Sequence, residues 1–229
     1  MTDIDCHDRT TRQINSAIRE QLAAGRRELR LLSPEARHNL AVAITEPVRI
    51  VIDGSTGYYC GGMVDGPTIE IRGSAGWGTA ESMMSGTVII DGDAGSGVAA
   101  SIRGGTVVVR GNAAARAGVS MKGGTLLIGG SVGYMTGFMM QKGTIVTCGD
   151  AGEALADSMY AGVVFVGGKI ADLGNDAIIE RPSPADEAFL AEQFQRYNIQ
   201  PPASFKKIVS GRKLWNFDKS DLDVWKVAL

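Results

Sequence analysis

Acidic side chains recur along the middle of this 229-residue chain, at Asp53, Asp91, Asp93, Asp150 and Asp157, and they are the first candidates for chemistry. Two carboxylates set across a cleft cleave glycosides, one giving a proton while the other attacks the sugar or activates water. Here Asp53 and Asp91 alternate with Arg72 and Arg110 at steps of 19 residues, which reads as charge pairing between neighbouring segments. His7 and His38 are the two histidines, and His7 beside Cys6 reads as a surface residue of the N-terminus, not a metal ligand. Cys6, Cys60 and Cys148 are odd in number and far apart, which fits reduced thiols better than a disulfide framework or an iron–sulfur site. Gly73-Ser74-Ala75-Gly76-Trp77-Gly78 and Gly92-Asp93-Ala94-Gly95-Ser96-Gly97 look like dinucleotide fingerprints. Such a fingerprint joins one strand to one helix once, whereas this one returns in successive segments, so structural bends are the better reading. The zinc, nucleophile-elbow and P-loop patterns do not occur. No catalytic, cofactor-binding or metal-binding residue is therefore expected on this chain.

What positions these residues is a repeat. Gly54, Gly73, Gly92, Gly111, Gly130, Gly149 and Gly168 stand at a constant interval of 19 residues. A second glycine column follows the same step at Gly86, Gly105, Gly124, Gly143 and Gly162, with Gly66 one residue out of register. A fixed period of this length is the mark of a solenoid, whose repeats bury apolar surface only by stacking. Two further columns carry the interior: Ile50, Ile69, Val88, Val107, Leu126, Ile145, Val164, and two residues on, Ile52, Ile71, Ile90, Val109, Ile128, Thr147, Val166. A spacing of two places both on one face of a strand. The ladder Val64, Met83, Ile102, Met121, Met140, Met159 and Ile178 predicts a second inward-facing strand per coil, with methionine as adaptable filler. Gly61, Ala80, Ala99, Gly118, Gly137 and Ala156 mark a close turn, and the glycine at each strand end is expected to supply a positive φ. The fold expected is an all-β core, a right-handed parallel β-helix of about seven 19-residue coils over residues 48–180, roughly 34 Å long at one strand spacing per coil. The step of 19, in place of the 18 of hexapeptide-built left-handed helices, is the ground for the handedness.

The residue between the two core columns points outward: Val51, Glu70, Ile89, Val108, Leu127, Val146 and Phe165. So apolar a column marks a covered face. Either the chain's own ends lie on Val51, Ile89, Val108, Leu127, Val146 and Phe165, or a partner does. The neighbouring ladder Thr68, Thr87, Thr106, Thr125 and Thr144 reads as β-propensity and stacked hydroxyls, with a sugar- or ice-binding face as the sharper alternative. Residues 1–47 form an N-terminal helical extension, with Ile14, Ile18 and Leu22 on one side of a helix within 9–31 and a second helix starting at Ser33-Pro34-Glu35. Residues 181–229 hold a helix from Asp186 to Tyr197 and a docking tail, Phe205 to Phe217. A formal charge of −2 gives no basic excess for nucleic acid, no apolar run is long enough to span a membrane, and no signal peptide is evident, so a cytoplasmic protein is expected.

The repeated Gly-x-x-Gly-x-Gly bends at Gly73/Gly76/Gly78 and Gly92/Gly95/Gly97 resemble the C-terminal β-helix domain of the glutamate synthase large subunit, over about residues 40–215. The same module is similar to the C subunit of formylmethanofuran dehydrogenase. Ser210-Gly211-Arg212 matches a stretch near the synthase terminus, while Ala114, Arg116 and Met135 replace later glycines of the fourth and fifth coils. The resemblance implies a structural chain that bridges a class II amidotransferase-like subunit and an FMN-binding synthase subunit, as in N-methylglutamate synthase. It further implies that FMN, with or without an iron–sulfur cluster, belongs to a partner. A formylmethanofuran dehydrogenase-like complex and a stand-alone carbohydrate-active β-helix are the competing readings.

Overall fold

A computed structural model describes residues 1–212 of the chain. It is a parallel β-solenoid of eleven strands in one sheet, with two short helices. The strands are β1 (Thr2–Asp5), β2 (Glu28–Leu32), β3 (Arg49–Ile52), β4 (Asp65–Ile71), β5 (Ser85–Ile90), β6 (Thr106–Val109), β7 (Lys122–Ile128), β8 (Lys142–Thr147), β9 (Val163–Val166), β10 (Ala177–Glu180) and β11 (Lys206–Ser210). The helices are α1 (Thr11–Ala23) and α2 (Pro184–Tyr197). From β1 to β9 each strand pairs parallel with the next. From β3 on the register step is 19, as in Ile50↔Ile69↔Val88↔Val107↔Leu126↔Ile145↔Val164.

Both core columns line the rod's interior, and every residue in them is buried. Thr147, the polar member, donates its hydroxyl to the Gly130 carbonyl at 2.7 Å, so the one buried hydroxyl in the columns is paired. The methionine ladder is interior as expected from Val64 to Met159, but Ile178 is 42% exposed in β10. The reason is an insertion: β11 runs antiparallel between β9 and β10, so the chain's last rung is displaced outward by one strand.

Three further expectations need correction. The methionine ladder does not mark a second strand. The second line of contact in each coil is a single parallel bridge at Thr56, Ala75, Ala94, Ala113, Val132, Ala151 and Ile170. Between bridge and strand the chain turns through alternate left-handed residues, for example Gly78, Ala80 and Ser82 at φ +65°, +61° and +57°. Their amides still bond between coils, Gly78 N to Ser96 O at 2.9 Å and Ala80 N to Cys60 O at 2.9 Å. That inter-coil bonding offsets a left-handed cost of about 1 kcal/mol per non-glycine residue. The period-19 glycines serve proximity: of that column only Gly54 has a positive φ. A Cβ on Gly168 would stand 2.6 Å from the Gly149 carbonyl carbon, and one on Gly149 would stand 2.8 Å from that of Gly130. The backbones pass too close for any side chain. The third correction concerns Ser33 to Ala43, which is a turn-rich coil with φ positive at Ser33, Glu35, Ala36, Asn39, Ala41 and Ala43. It stacks on the next coil through Asn39 N to Tyr58 O (2.7 Å) and Ala43 N to Gly62 O (2.8 Å), and those bonds favour coil over helix.

The sheet extends past the 19-residue repeat into the N-terminal segment, where β1 and β2 pair at other steps (Thr2↔Leu29, Leu29↔Ile50) and Thr11–Ala23 is helical. Thr10 caps α1 with a capping box to Gln13, and Ile14, Ile18 and Leu22 are buried in the same core as the strand columns. The helix thereby covers the apolar lumen at one end of the rod, as a solenoid's terminal rung requires.

Candidate functional site

With the interior filled, the exterior is where this chain can act, and four features of it are built by the 19-residue step. The first is a charge ladder. Arg72 contacts Asp53 at 3.3 Å, Arg110 contacts Asp91 at 3.1 Å, and Arg30 from β2 hydrogen-bonds Asp53 from the other side. The Arg30 hydrogen bond outweighs partial desolvation and, with Arg72, holds the Asp53 carboxyl below its ordinary value. Glu70 receives both Nε and Nη2 of Arg49 at 2.8 Å. The carboxylates weighed for catalysis are therefore engaged one coil apart.

The second is a polar spine that the sequence reading missed. Ser74 N donates to Ser55 Oγ, Asp93 N to Ser74 Oγ, Asn112 N to Asp93 Oδ1, Ser131 N to Asn112 Oδ1, Asp150 N to Ser131 Oγ and Lys169 N to Asp150 Oδ1, at 2.7–3.2 Å. Each short side chain accepts from the backbone one coil on, which places Asp93 and Asp150 in structural roles. The signal was present as Ser, Ser, Asp, Asn, Ser, Asp directly after the first six period-19 glycines. Asp157 likewise accepts from Asn175 N at 3.0 Å.

The third is the outer apolar column. Val108, Leu127, Val146 and Phe165 are buried together with Leu190, Phe194 and Tyr197 of α2, and Ile89 packs against them. The chain's own C-terminal helix therefore occupies most of the candidate partner face. Val51 is also buried, outside that cluster, and Glu70 is ion-paired. Phe205 stacks on Phe194 (centroids 5.7 Å apart) and meets Phe165 edge-on at 6.4 Å. Ser183 caps α2 with a box to Asp186, which Lys207 contacts at 2.9 Å, and Arg110 donates to the Tyr197 carbonyl at 3.0 Å. Burial works to raise the Asp186 pKa, but the hydrogen bonds from Ser183 and the Lys207 ammonium prevail and lower it. Of the expected docking tail, Lys213, Leu214, Trp215, Asn216 and Phe217 lie outside the described residues. Ser210 ends β11, and Gly211 and Arg212 follow it.

The fourth feature was not expected. His38, Tyr58 and Trp77 form an aromatic stack across three coils, with centroids 4.4 Å and then 5.2 Å apart and ring planes within 16° of parallel. His38 Nδ1 accepts from Tyr58 N at 2.9 Å, which pins the lowest ring. His7 lies elsewhere, with Nδ1 2.8 Å from Glu35 Oε1. The threonine ladder from Thr68 to Thr144 is in register and half-buried beside the α2 face. A groove of about 710 Å³ lies at the far end of the rod, lined in part by Tyr160, Val163, Ile178 and Val209. Among the described residues no group of three or more His, Cys, Asp or Glu is placed to hold a metal ion, and no helix is long and apolar enough to cross a membrane.

These features define a parallel β-solenoid whose surface charges and short polar side chains serve the stacking itself. The fold has a counterpart among solved structures. A chain in the crystal structure of the formyltransferase/hydrolase complex (FhcABCD) from Methylorubrum extorquens, in complex with methylofuran, superposes with a TM-score of 0.67 and 27% sequence identity. The superposition covers 75% of this chain and 67% of that one. The protein GlxC of Rhizobium meliloti (strain 1021) is 41% identical over 73 residues. That match spans 31% of this chain and about a third (32%) of GlxC. No protein-family model matches the chain.

Proposed function

We propose that this chain is a scaffold subunit of a multi-subunit enzyme complex and carries no active site of its own. The observation that carries the reading is the engagement of every candidate acid: Asp53 and Asp91 are paired with arginines, and Asp93, Asp150 and Asp157 bond backbone amides. A general acid needs a carboxyl free to exchange a proton with substrate, and these are committed to the coils. The likeness to a chain of a formyltransferase/hydrolase complex supports a role as one subunit among several.

Within that class, the glycine-bend resemblance favours a glutamate synthase-like complex of the N-methylglutamate synthase type, which makes N-methylglutamate from methylamine and glutamate. This rod would bridge a class II amidotransferase-like subunit and an FMN-binding subunit. The second reading is a scaffold in a formylmethanofuran-handling complex, and the structural match is the observation in its favour. Purification from the native host through a tag on this chain separates them. Co-elution with a flavin-containing partner supports the first reading, and co-elution with formyl-transferring or formyl-releasing subunits supports the second. A chain that elutes alone at low salt and near-native concentration refutes both.

A further inference from the structure

The aromatic stack on the rod is unfinished. Its column continues upward from Trp77 as Ser96 and Ala115, small residues that add no ring, and an aromatic returns only at Tyr134. Trp77 is 56% exposed, and beside it Tyr58, Tyr59 and Met63 are 40%, 46% and 60% exposed. The vacancy is a groove of about 180 Å³ lined by Tyr59, Trp77, Glu81, Ser96, Gly97 and Arg116. Neither the Arg116 guanidinium nor the Glu81 carboxylate has a hydrogen-bond or ion-pair partner among the described residues, in contrast to the arginines and acids of the charge ladder.

We propose that this groove is the rod's subunit-docking site, and that its occupant is a partner polypeptide segment that lays an aromatic ring on the open face of Trp77 and a carboxylate against Arg116. The inference rests on the scaffold reading above and names the surface that reading needs. Three observations select the occupant. The His38–Tyr58–Trp77 stack presents a ready ring face about one strand spacing below the next rung, so a flat group continues it with little rearrangement. On the groove floor Gly78 N and Gly97 N are spent on Ser96 O and Ala115 O, so these amides give a hydroxyl-rich ligand such as a sugar no donor, and the free polar groups are the charged Arg116 and Glu81. Small-molecule sites enclose on the order of 300–1,000 Å³, so a shallow groove of this size suits one anchoring side chain with its flanking chain. Exposed Trp, Tyr, Met and Arg are also the residue types enriched at protein interfaces. The unpaired Arg116 adds a preference for a carboxylate, and the unpaired Glu81 in the same groove a preference for a basic group beside it.

The test compares the isolated chain with the complex purified through a tag on it. Hydroxyl-radical footprinting should show Trp77 oxidised at least tenfold more slowly in the complex. Trp77→Ala and Arg116→Glu should each raise the dissociation constant for the co-purifying subunit at least tenfold, with the circular dichroism of the isolated chain unchanged and its melting temperature lowered by no more than a few degrees, the cost of the lost Tyr58 stack. Trp77→Phe, which keeps a ring, should recover most of the affinity. Equal oxidation of Trp77 in both states, or normal assembly of both variants, overturns the site while leaving the scaffold function standing. Protection of Trp77 in the isolated chain, lost on denaturation and refolding, identifies a bound small molecule and also overturns it. A chain that never assembles overturns the scaffold reading and the site together.

Discussion

Truncating Phe194 to alanine should free α2 from the rod without unwinding the coils. Phe194 is 5% exposed, stacks on Phe205, and lies in the cluster that joins α2 to Val108, Leu127, Val146 and Phe165. Removing a buried phenylalanine side chain costs about 3–5 kcal/mol, from lost burial and the cavity left behind. That cost falls on the α2 interface, because the inner columns from Ile50 to Val164 form a separate cluster on the sheet's other face. Local opening of α2 should therefore become more frequent by about a hundred- to a few thousand-fold, at roughly 1.4 kcal/mol per factor of ten. Hydrogen exchange resolved by peptide reads this directly. Amides of Leu190 to Tyr197 should exchange faster by that factor, while those of β5 to β8 keep their protection. Leu127→Asp should do the same from the sheet side, whereas Ile128→Asp buries an unpaired charge in the lumen and should unfold the chain. If Phe194→Ala leaves α2 exchange within tenfold of wild type, or speeds exchange equally through β5 to β8, then two separable apolar layers are the wrong description.

Thr147→Val should be neutral or slightly stabilising in a thermal melt, within about 1 kcal/mol, because the Gly130 carbonyl keeps its bond from Gly149 N (2.8 Å) and valine suits a column of aliphatic neighbours. Acid should loosen α2 only at low pH: the Asp186 carboxyl is held below its ordinary value, so its contribution is present above the ordinary carboxylate pKa and is lost as pH falls through the lower folded one. Circular dichroism of wild type against Asp186→Asn between about pH 5 and pH 2 checks this, the variant losing the pH-dependent step. Cys60, whose thiol burial pushes to about 12, should resist alkylation at pH 8 until the chain is unfolded, and Cys148, pushed up to about 11, should react only slowly. Rapid labelling of native Cys60, followed by peptide mass spectrometry, would refute its burial in the coil.

The 19-residue step was legible because a stacked rod makes every rung face the same neighbours. One environment repeated along the axis selects one residue type per column, so Ile50 to Val164 and Gly54 to Gly168 could be read by subtraction alone. The charge alternation of Asp53, Arg72, Asp91 and Arg110 was legible for the same reason. Other features depend on what a column meets, which spacing does not carry. Apolar residues from Val108 to Phe165 announce that something covers them; only the packed structure shows that α2 does so. The glycine column announces that a side chain is forbidden, but only the inter-coil geometry decides that close backbones, and not positive φ, forbid it. Ser33 to Ala43 carries a helix-start pattern, yet the next coil offers its amides better partners than a free helix could. The period alone determined the solenoid and its interior. Segments at either end, α1 and α2 with β11, pack against the rod across large sequence separations, and that packing, visible only in three dimensions, decided which outer faces are closed among the described residues.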